Sequence, residues 1–178
     1  MTTAVFLEPA AGDSGNRWWD DVVVEVGPTR IDMVVVTDGD AITGVHFGSS
    51  RSGFRPDECW VRDRKAVRDA AEQLCEYGAG DLKDFDLPLR PSGTGFQMSV
   101  WEALASIPYG TTTSYGAIAH TIGRPGSGRA VGSAVGSNPI AIVIPCHRVI
   151  GSNGALTGFG GGLDNEVTLL RREGITAF

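Results

Sequence analysis

Cysteine is scarce in this 178-residue chain, and Cys59, Cys75 and Cys146 are its only three. An odd number cannot all pair, and no two stand at Cys-x-x-Cys spacing, so neither a disulfide framework nor a structural zinc site is encoded. At least one thiol is free. No apolar run approaches the roughly 20 residues that a membrane-spanning helix needs. The stretch Met1 to Gly12 lacks the basic start, apolar run and small-residue cleavage site of a secretory leader. These absences predict a cytoplasmic protein with no membrane partner. A basic excess is missing too. The formal charge is -6, which speaks against a nucleic-acid partner, because phosphate binding leaves a basic footprint. The deficit is one-sided, however: up to Arg90 ten basic residues face seventeen acidic ones, and beyond it five face four. Such asymmetry predicts two units with different surfaces, and any DNA binding must rest on shape and a few placed contacts.

What is present is an ordinary globular composition, 42% hydrophobic and 20% charged, which supports a packed core. Val22–Val26, Ile31–Val36 and Ala41–Phe47 are short, β-branched runs separated by Gly27-Pro28 and Asp38-Gly39-Asp40, the punctuation of a small antiparallel sheet. From Arg64 to Tyr77 the apolar positions Val67, Ala70, Ala71, Leu74 and Cys75 recur at helical spacing, with Gly78 as the stop. The stretch Gly80–Gly93 has no sustained periodicity and reads as a connection. Phe96, Val100, Trp101 and Leu104 predict a helix from about 94 to about 106. Tyr115–Ile122 and Gly128–Ser137, parted by Gly123-Arg124-Pro125-Gly126, fit a helix-turn-helix. Gly132 and Gly136 would each destabilise an isolated helix by roughly 1 kcal/mol relative to alanine, so they are expected to permit close approach to DNA or to another helix. Ile140–Ile144 reads as a buried strand stopped by Pro145, and a glycine-heavy loop from Gly151 to Gly162 leads to a last helix over Leu163–Glu173. The fold class is α+β: residues 1–90 form a sheet with a helix in a structural role, and residues 91–178 a mostly helical unit carrying the chemistry.

Chemistry concentrates at Pro145-Cys146-His147-Arg148-Val149-Ile150. A thiol is a useful nucleophile when its thiolate is favoured by positive charge, a proton acceptor or a helix N-terminus, and His147 and Arg148 are candidates for that task. Neighbouring side chains on a strand point to opposite faces, so His147 reaches Cys146 only through a kink after Pro145 and a bridging water. The alternative is a buried cysteine acting as a small hydrophobe. Cys75 is assigned to the apolar helix stripe, and Cys59 has no chemical company.

Phe96-Gln97-x-x-Val100-Trp101-x-Ala103-Leu104, Ile107-Pro108-Tyr109-Gly110, Ser114-Tyr115-Gly116, Arg129-Ala130-Val131-Gly132, Asn138-Pro139, the Pro-Cys-His-Arg hexapeptide and Gly161-Gly162-Leu163 stand in the order found in the O6-alkylguanine-DNA alkyltransferases. The chain resembles a bacterial member of that family over its second half, whereas the first half matches only in its pattern of strands and helix.

The resemblance implies single-turnover repair of double-stranded DNA containing O6-alkylguanine, with O4-alkylthymine left open as a further substrate. The nucleotide is swung out from the minor groove because the target atom is inaccessible inside the stack. Carried onto this sequence, Arg129 enters the duplex in place of the flipped base, and Ala130, Gly132 and Ala134 fit a groove about 6 Å wide. Tyr115 helps rotate the nucleotide and donates a proton to the leaving guanine. Asn138 ties the turn between recognition helix and cysteine, and Glu173 orients His147, which activates Cys146 through water. The backbone of Val149 and the loop around Phe159 and Gly160 line the base pocket. No cofactor and no metal are implied, since the alkyl group comes from DNA and stays on the protein as a thioether. A monomer is implied, with cooperative assembly on DNA left open. By residue type alone, Arg129 and Glu173 read equally as solvated helix residues, Tyr115 as a packed helix residue and Asn138 as an ordinary turn residue. The family usually has a basic residue where this chain has Asn165 and Glu166, and the segment Trp18-Trp19-Asp20-Asp21 has no assignment. Two other functions compete: a sensor that flips alkylguanine without efficient transfer, and a cysteine hydrolase using Cys146 and His147, which would leave Arg129 without a role.

Overall fold

A computed structural model describes residues 5–8, 15–48, 54–156 and 159–178. In chain order the elements are β1 (Val5–Phe6), β2 (Trp18–Val26), β3 (Thr29–Thr37), β4 (Ile42–Phe47), β5 (Val61–Arg62), α1 (Arg68–Ala79), β6 (Pro88–Leu89), α2 (Gly95–Ala105), β7 (Thr113–Ser114), α3 (Tyr115–Thr121), α4 (Gly128–Gly136), β8 (Val149–Ile150) and α5 (Leu163–Arg172). A single 3-10 turn over Cys146–Arg148 precedes β8. Among the described residues no helix is long and apolar enough to cross a membrane. The architecture is α+β, as the strand and helix patterns foretell.

The sheet is antiparallel through β2, β3 and β4, and the short strands β1, β5 and β6 extend it in parallel, giving the order β1-β6-β4-β3-β2-β5. The expected connection Gly80–Gly93 therefore contains a strand, too short to show a period, with Phe85, Leu87 and Leu89 buried around it. The unassigned residues Trp18 to Asp21 open β2: Arg62 of β5 donates to Asp20 at 2.7 Å and Asp21 at 2.8 Å and lies over the Trp19 ring.

Helix α1 packs on β2, where Val22, Val24 and Val26 are buried by strand alternation and meet Leu74 and Tyr77. It starts later and ends later than the pattern predicts. Residues 64–67 form turns. Gly78 lies inside the helix because a Cβ there would stand 2.5 Å from the Glu25 carbonyl oxygen, and the stop is Gly80 at φ +93°, the left-handed conformation glycine adopts freely. Cys75 is exposed, off the stripe assigned to it. The stripe runs instead through Ala70, Leu74, Tyr77 and Gly78.

Helix α2 starts with a capping box: Thr94 Oγ1 accepts from Gln97 N–H, and the Gln97 side chain accepts from Thr94 N–H. Its Trp101 is 1% exposed and donates through Nε1 to the Ala134 carbonyl at 2.9 Å, clamping α2 to α4. The helix pair α3 and α4 stands as the sequence predicts, joined by the glycine-bearing turn.

The run Ile140–Ile144 is not a strand. Val45 of β4 donates to the Pro139 carbonyl and accepts from Ala141, each at 2.9 Å. The chain then folds back sharply, with Val143 N–H bonded to Ala141 O around Ile142 at φ +70°, and Cys146 N–H bonded to Ile144 O around Pro145 at φ -81°, ψ 67°. These are a γ-turn and an inverse γ-turn in succession. All five apolar side chains are buried, which is why the run carries the pattern of a buried strand.

Candidate active site

The γ-turns deliver Cys146 to the floor of a cavity of about 640 Å3, whose walls include Tyr115, Arg129, Asn138, Phe159 and Gly160. The cavity lies between the helix pair, the loop before α5 and β4, which adds Val45, His46 and Phe47. Arg129 is exposed on α4 and makes no hydrogen bond or ion pair with the described residues. Tyr115 begins α3, its ring packed beside Gly132, where a Cβ would make only ordinary contact at 3.7 Å. A Cβ on Gly136 would meet nothing within 4 Å. No described protein group therefore requires either glycine, and both line the cavity, while Ala130 is exposed.

One residue expected in the groove and one expected in the pocket wall are elsewhere. Ala134, assigned to the groove-facing surface, is 3% exposed and faces the core, because Val131, Ala134 and Val135 form the buried stripe of α4. Val149 is buried below the cavity, its backbone paired with Thr113 in the β7–β8 ladder. Part of the loop from Gly151 to Gly162, residues 157 and 158, lies outside the described residues.

Asn138 closes the turn that carries the cysteine. Its side-chain oxygen accepts from Ile140 N–H at 3.0 Å, and its Nδ2 donates to the Ile144 carbonyl at 2.8 Å, so one amide ties both ends of the folded-back segment together. Burial pushes the Cys146 thiol up to about 11; hydrogen bonding from Asn138 and from the backbone N–H groups of Cys146 and His147 opposes that rise, and the nearby Glu166 adds to it. Arg148, a sequence candidate for thiol activation, is engaged elsewhere. It donates to Glu173 through Nε at 2.9 Å and Nη2 at 2.9 Å, and to the Ile107 carbonyl through Nη1 at 2.6 Å.

His147 and Glu173 meet in the interior. The 3-10 turn supplies the kink that a strand could not, and His147 Nε2 lies 2.9 Å from Glu173 Oε1. Tyr77 of α1 donates to the same oxygen at 2.7 Å, and Gly110 N–H donates to Oε2 at 3.0 Å. Burial alone would raise the Glu173 carboxyl, but hydrogen bonds and charge from His147 and Arg148 outweigh it and hold it at about 2. Burial lowers the His147 pKa against the opposing hydrogen bond and charge of Glu173, which favours the neutral imidazole. A carboxylate can only accept. The proton of His147 therefore sits on Nε2, which leaves Nδ1 as the basic nitrogen, and Nδ1 is buried with no hydrogen-bond partner among the described residues. Among those residues, no three His, Cys, Asp or Glu side chains gather as a metal ion would require.

Residues 95–175 match the family model described as the DNA binding domain of 6-O-methylguanine DNA methyltransferase. A methylated-DNA–protein-cysteine methyltransferase of Methanosarcina acetivorans is 47% identical over 149 residues, covering 84% of this chain and 93% of that one. One from Mycolicibacterium paratuberculosis is 58% identical over 114 residues, covering 64% and 69%. The chain belongs to the methylated-DNA–protein-cysteine methyltransferases. A crystal structure of Mycobacterium tuberculosis OGT in complex with DNA superposes with a TM-score of 0.77 at 41% identity, over 89% of this chain and 92% of that one.

For this methyltransferase, the sequence reading missed Tyr77, whose hydroxyl serves Glu173 from the opposite half of the chain. Its signal was available: Tyr77 stands three residues after Leu74 on the α1 stripe. It also missed the wall contributed by His46, a residue stacked on Phe54 with ring centroids 3.7 Å apart and pushed down to about 4 by burial. Glu166 showed only as a departure from the family pattern, yet it is buried and lines the cavity.

Proposed function

We propose that this protein repairs alkylated double-stranded DNA by direct reversal, moving the alkyl group from O6 of guanine to Sγ of Cys146 in a single turnover. The observation that carries this reading is a lone thiol at the floor of a cavity that opens beside a helix-turn-helix. A base inside a duplex cannot reach such a thiol, so the nucleotide must leave the stack. In the proposal Arg129 fills the gap it leaves, Ala130, Gly132 and neighbouring exposed positions of α4 lie along the minor groove, and Phe159 and Gly160 flank the base.

The thiol proton passes through a bridging water to His147 Nδ1, whose imidazolium faces the Glu173 carboxylate. The sulfur forms its bond to the alkyl carbon as the carbon–O6 bond breaks, and the electron pair goes to the base. Guanine takes up a proton, with the Tyr115 hydroxyl as donor, so the base departs neutral. Asn138 steadies the turn that presents the sulfur. The thioether product has no leaving group that water could displace, so one molecule repairs one lesion and no cofactor takes part. The proposal further assigns DNA binding and transfer to residues 91–178, and to residues 1–90 support and one wall of the cavity, in a protein acting as a cytoplasmic monomer.

The test is the intact mass of the protein after mixing with a duplex bearing one O6-methylguanine, with Cys146→Ser as control. A gain of one methylene on Cys146, absent from the variant, is the expected result. Tight lesion binding without a mass change would make the protein a sensor and overturn the transfer step.

A further inference from the structure

Glu166 stands where α5 should carry a hydrophobic residue. Positions 166, 169 and 170 form its buried stripe, and the other two are Leu169 and Leu170. The Glu166 residue is 2% exposed, and its Oε2 has no hydrogen-bond partner among the described residues. Burying such an oxygen is costly, and packing gains nothing from it. The contrast with Glu173 is direct: there, side chains of His147, Arg148 and Tyr77 and a backbone N–H converge on one carboxylate.

The carboxyl lines the same cavity as Cys146, and its charge acts on the thiol. The other titratable or charged side chains in the cavity wall are His46 of β4, Tyr115 of α3 and Arg129 of α4. His46 is neutral at working pH, and Arg129 is the exposed member of the cavity wall. Whatever atom is attacked by Cys146 must come to bonding distance of the sulfur, so substituents on that carbon lie in the cavity that Cys146 and Glu166 both line.

We propose that Glu166 selects the transferred group by its charge, admitting neutral alkyl groups and excluding adducts that carry an anion. The inference rests on the alkyl-transfer reading and concerns only which groups are accepted. Like charges in a poorly solvated cavity repel far more strongly than in water. Burial pushes the Glu166 carboxyl up to about 7, so the exclusion strengthens as pH rises through neutrality.

The experiment compares two duplexes, one with O6-carboxymethylguanine and one with its near-isosteric neutral amide, O6-carbamoylmethylguanine. Single-turnover rate constants are read by intact mass for the native protein and for Glu166→Gln. The amide-to-acid rate ratio cancels thiol activation, which both substrates share. At about pH 8 the ratio is expected to fall about tenfold in the variant, and in the native protein to rise about tenfold between about pH 6 and about pH 8. A ratio that is equal in the two proteins and flat with pH overturns the proposal. If the variant does not fold, the pH series on the native protein decides alone. An O6-methylguanine duplex separates the two failures: methyl transfer with an unchanged ratio sinks only the role of Glu166, and no methyl transfer removes the reading on which it stands.

Discussion

The hydroxyl of Tyr77 donates to Glu173 Oε1 at 2.7 Å, joining residues 96 positions apart in the chain. Glu173 is thereby held by α1 and by the cysteine turn at once, and His147 inherits its orientation from both. Tyr77→Phe removes one donor to a buried carboxylate and should lower stability by about 1–3 kcal/mol, read by urea unfolding. It should also slow methyl transfer, with the loss carried by the chemical step and lesion binding unchanged.

Glu173→Gln leaves the Arg148 guanidinium buried without a counter-charge, and should cost about 3–5 kcal/mol. The pH response has a defined sign. The folded carboxyl is held at about 2 against an ordinary 4.5, so its contribution is complete above about 4.5 and disappears as pH falls through about 2. That contribution is about 3 kcal/mol. Acid unfolding of the native protein should show this loss, and the variant should lack it.

Glu166 has the opposite sign. Its folded pKa is raised to about 7 from 4.5, so its contribution is complete below about 4.5 and lost as pH rises through about 7. Glu166→Gln should therefore gain on the native protein by about 2–3 kcal/mol between about pH 4 and about pH 8. His46 titrates in both proteins and drops out of the difference. Equal pH dependence in denaturant titrations of the two would contradict the raised carboxyl.

Arg129→Ala removes an exposed side chain with no protein hydrogen bond or ion pair among the described residues, so stability should change by less than about 0.5 kcal/mol. Transfer from duplex DNA should nevertheless fall steeply, while transfer from free O6-benzylguanine, which needs no flipping, should persist. Equal loss on both substrates would move Arg129 from the duplex to the cavity.

Trp101→Phe breaks the clamp between α2 and the Ala134 carbonyl. A stability loss of about 1–3 kcal/mol is expected, together with weaker duplex binding, because α4 loses its fixed seat.

Much of this was legible in the sequence: α2 lies where its apolar stripe puts it, the α3–α4 pair lies on either side of its glycine-bearing turn, and α5 follows the glycine-heavy loop. Short or folded-back segments were not. Ile140 to Ile144 carries five apolar residues in a row, and burial looks the same whether the chain runs straight or doubles back through γ-turns. Only Asn138, two residues upstream, holds the information, because its amide bonds both ends of the loop. Ala134 was misplaced because small residues suit a groove and a core equally, and the α4 stripe decides between them. Tyr77 and Glu173 could not be paired, since nothing local links a residue on α1 to one just past α5.

The thiol raised to about 11 bears on how the molecule survives until it is needed. At pH 7 a thiol raised so far is held almost entirely protonated, and stray oxidants and electrophiles react with the ionised form. A protein that acts once is ruined by any wrong first encounter. Held protonated and 7% exposed at the bottom of its cavity, Cys146 is shielded from stray oxidants and electrophiles until a partner that fits the cavity brings its own carbon to the sulfur.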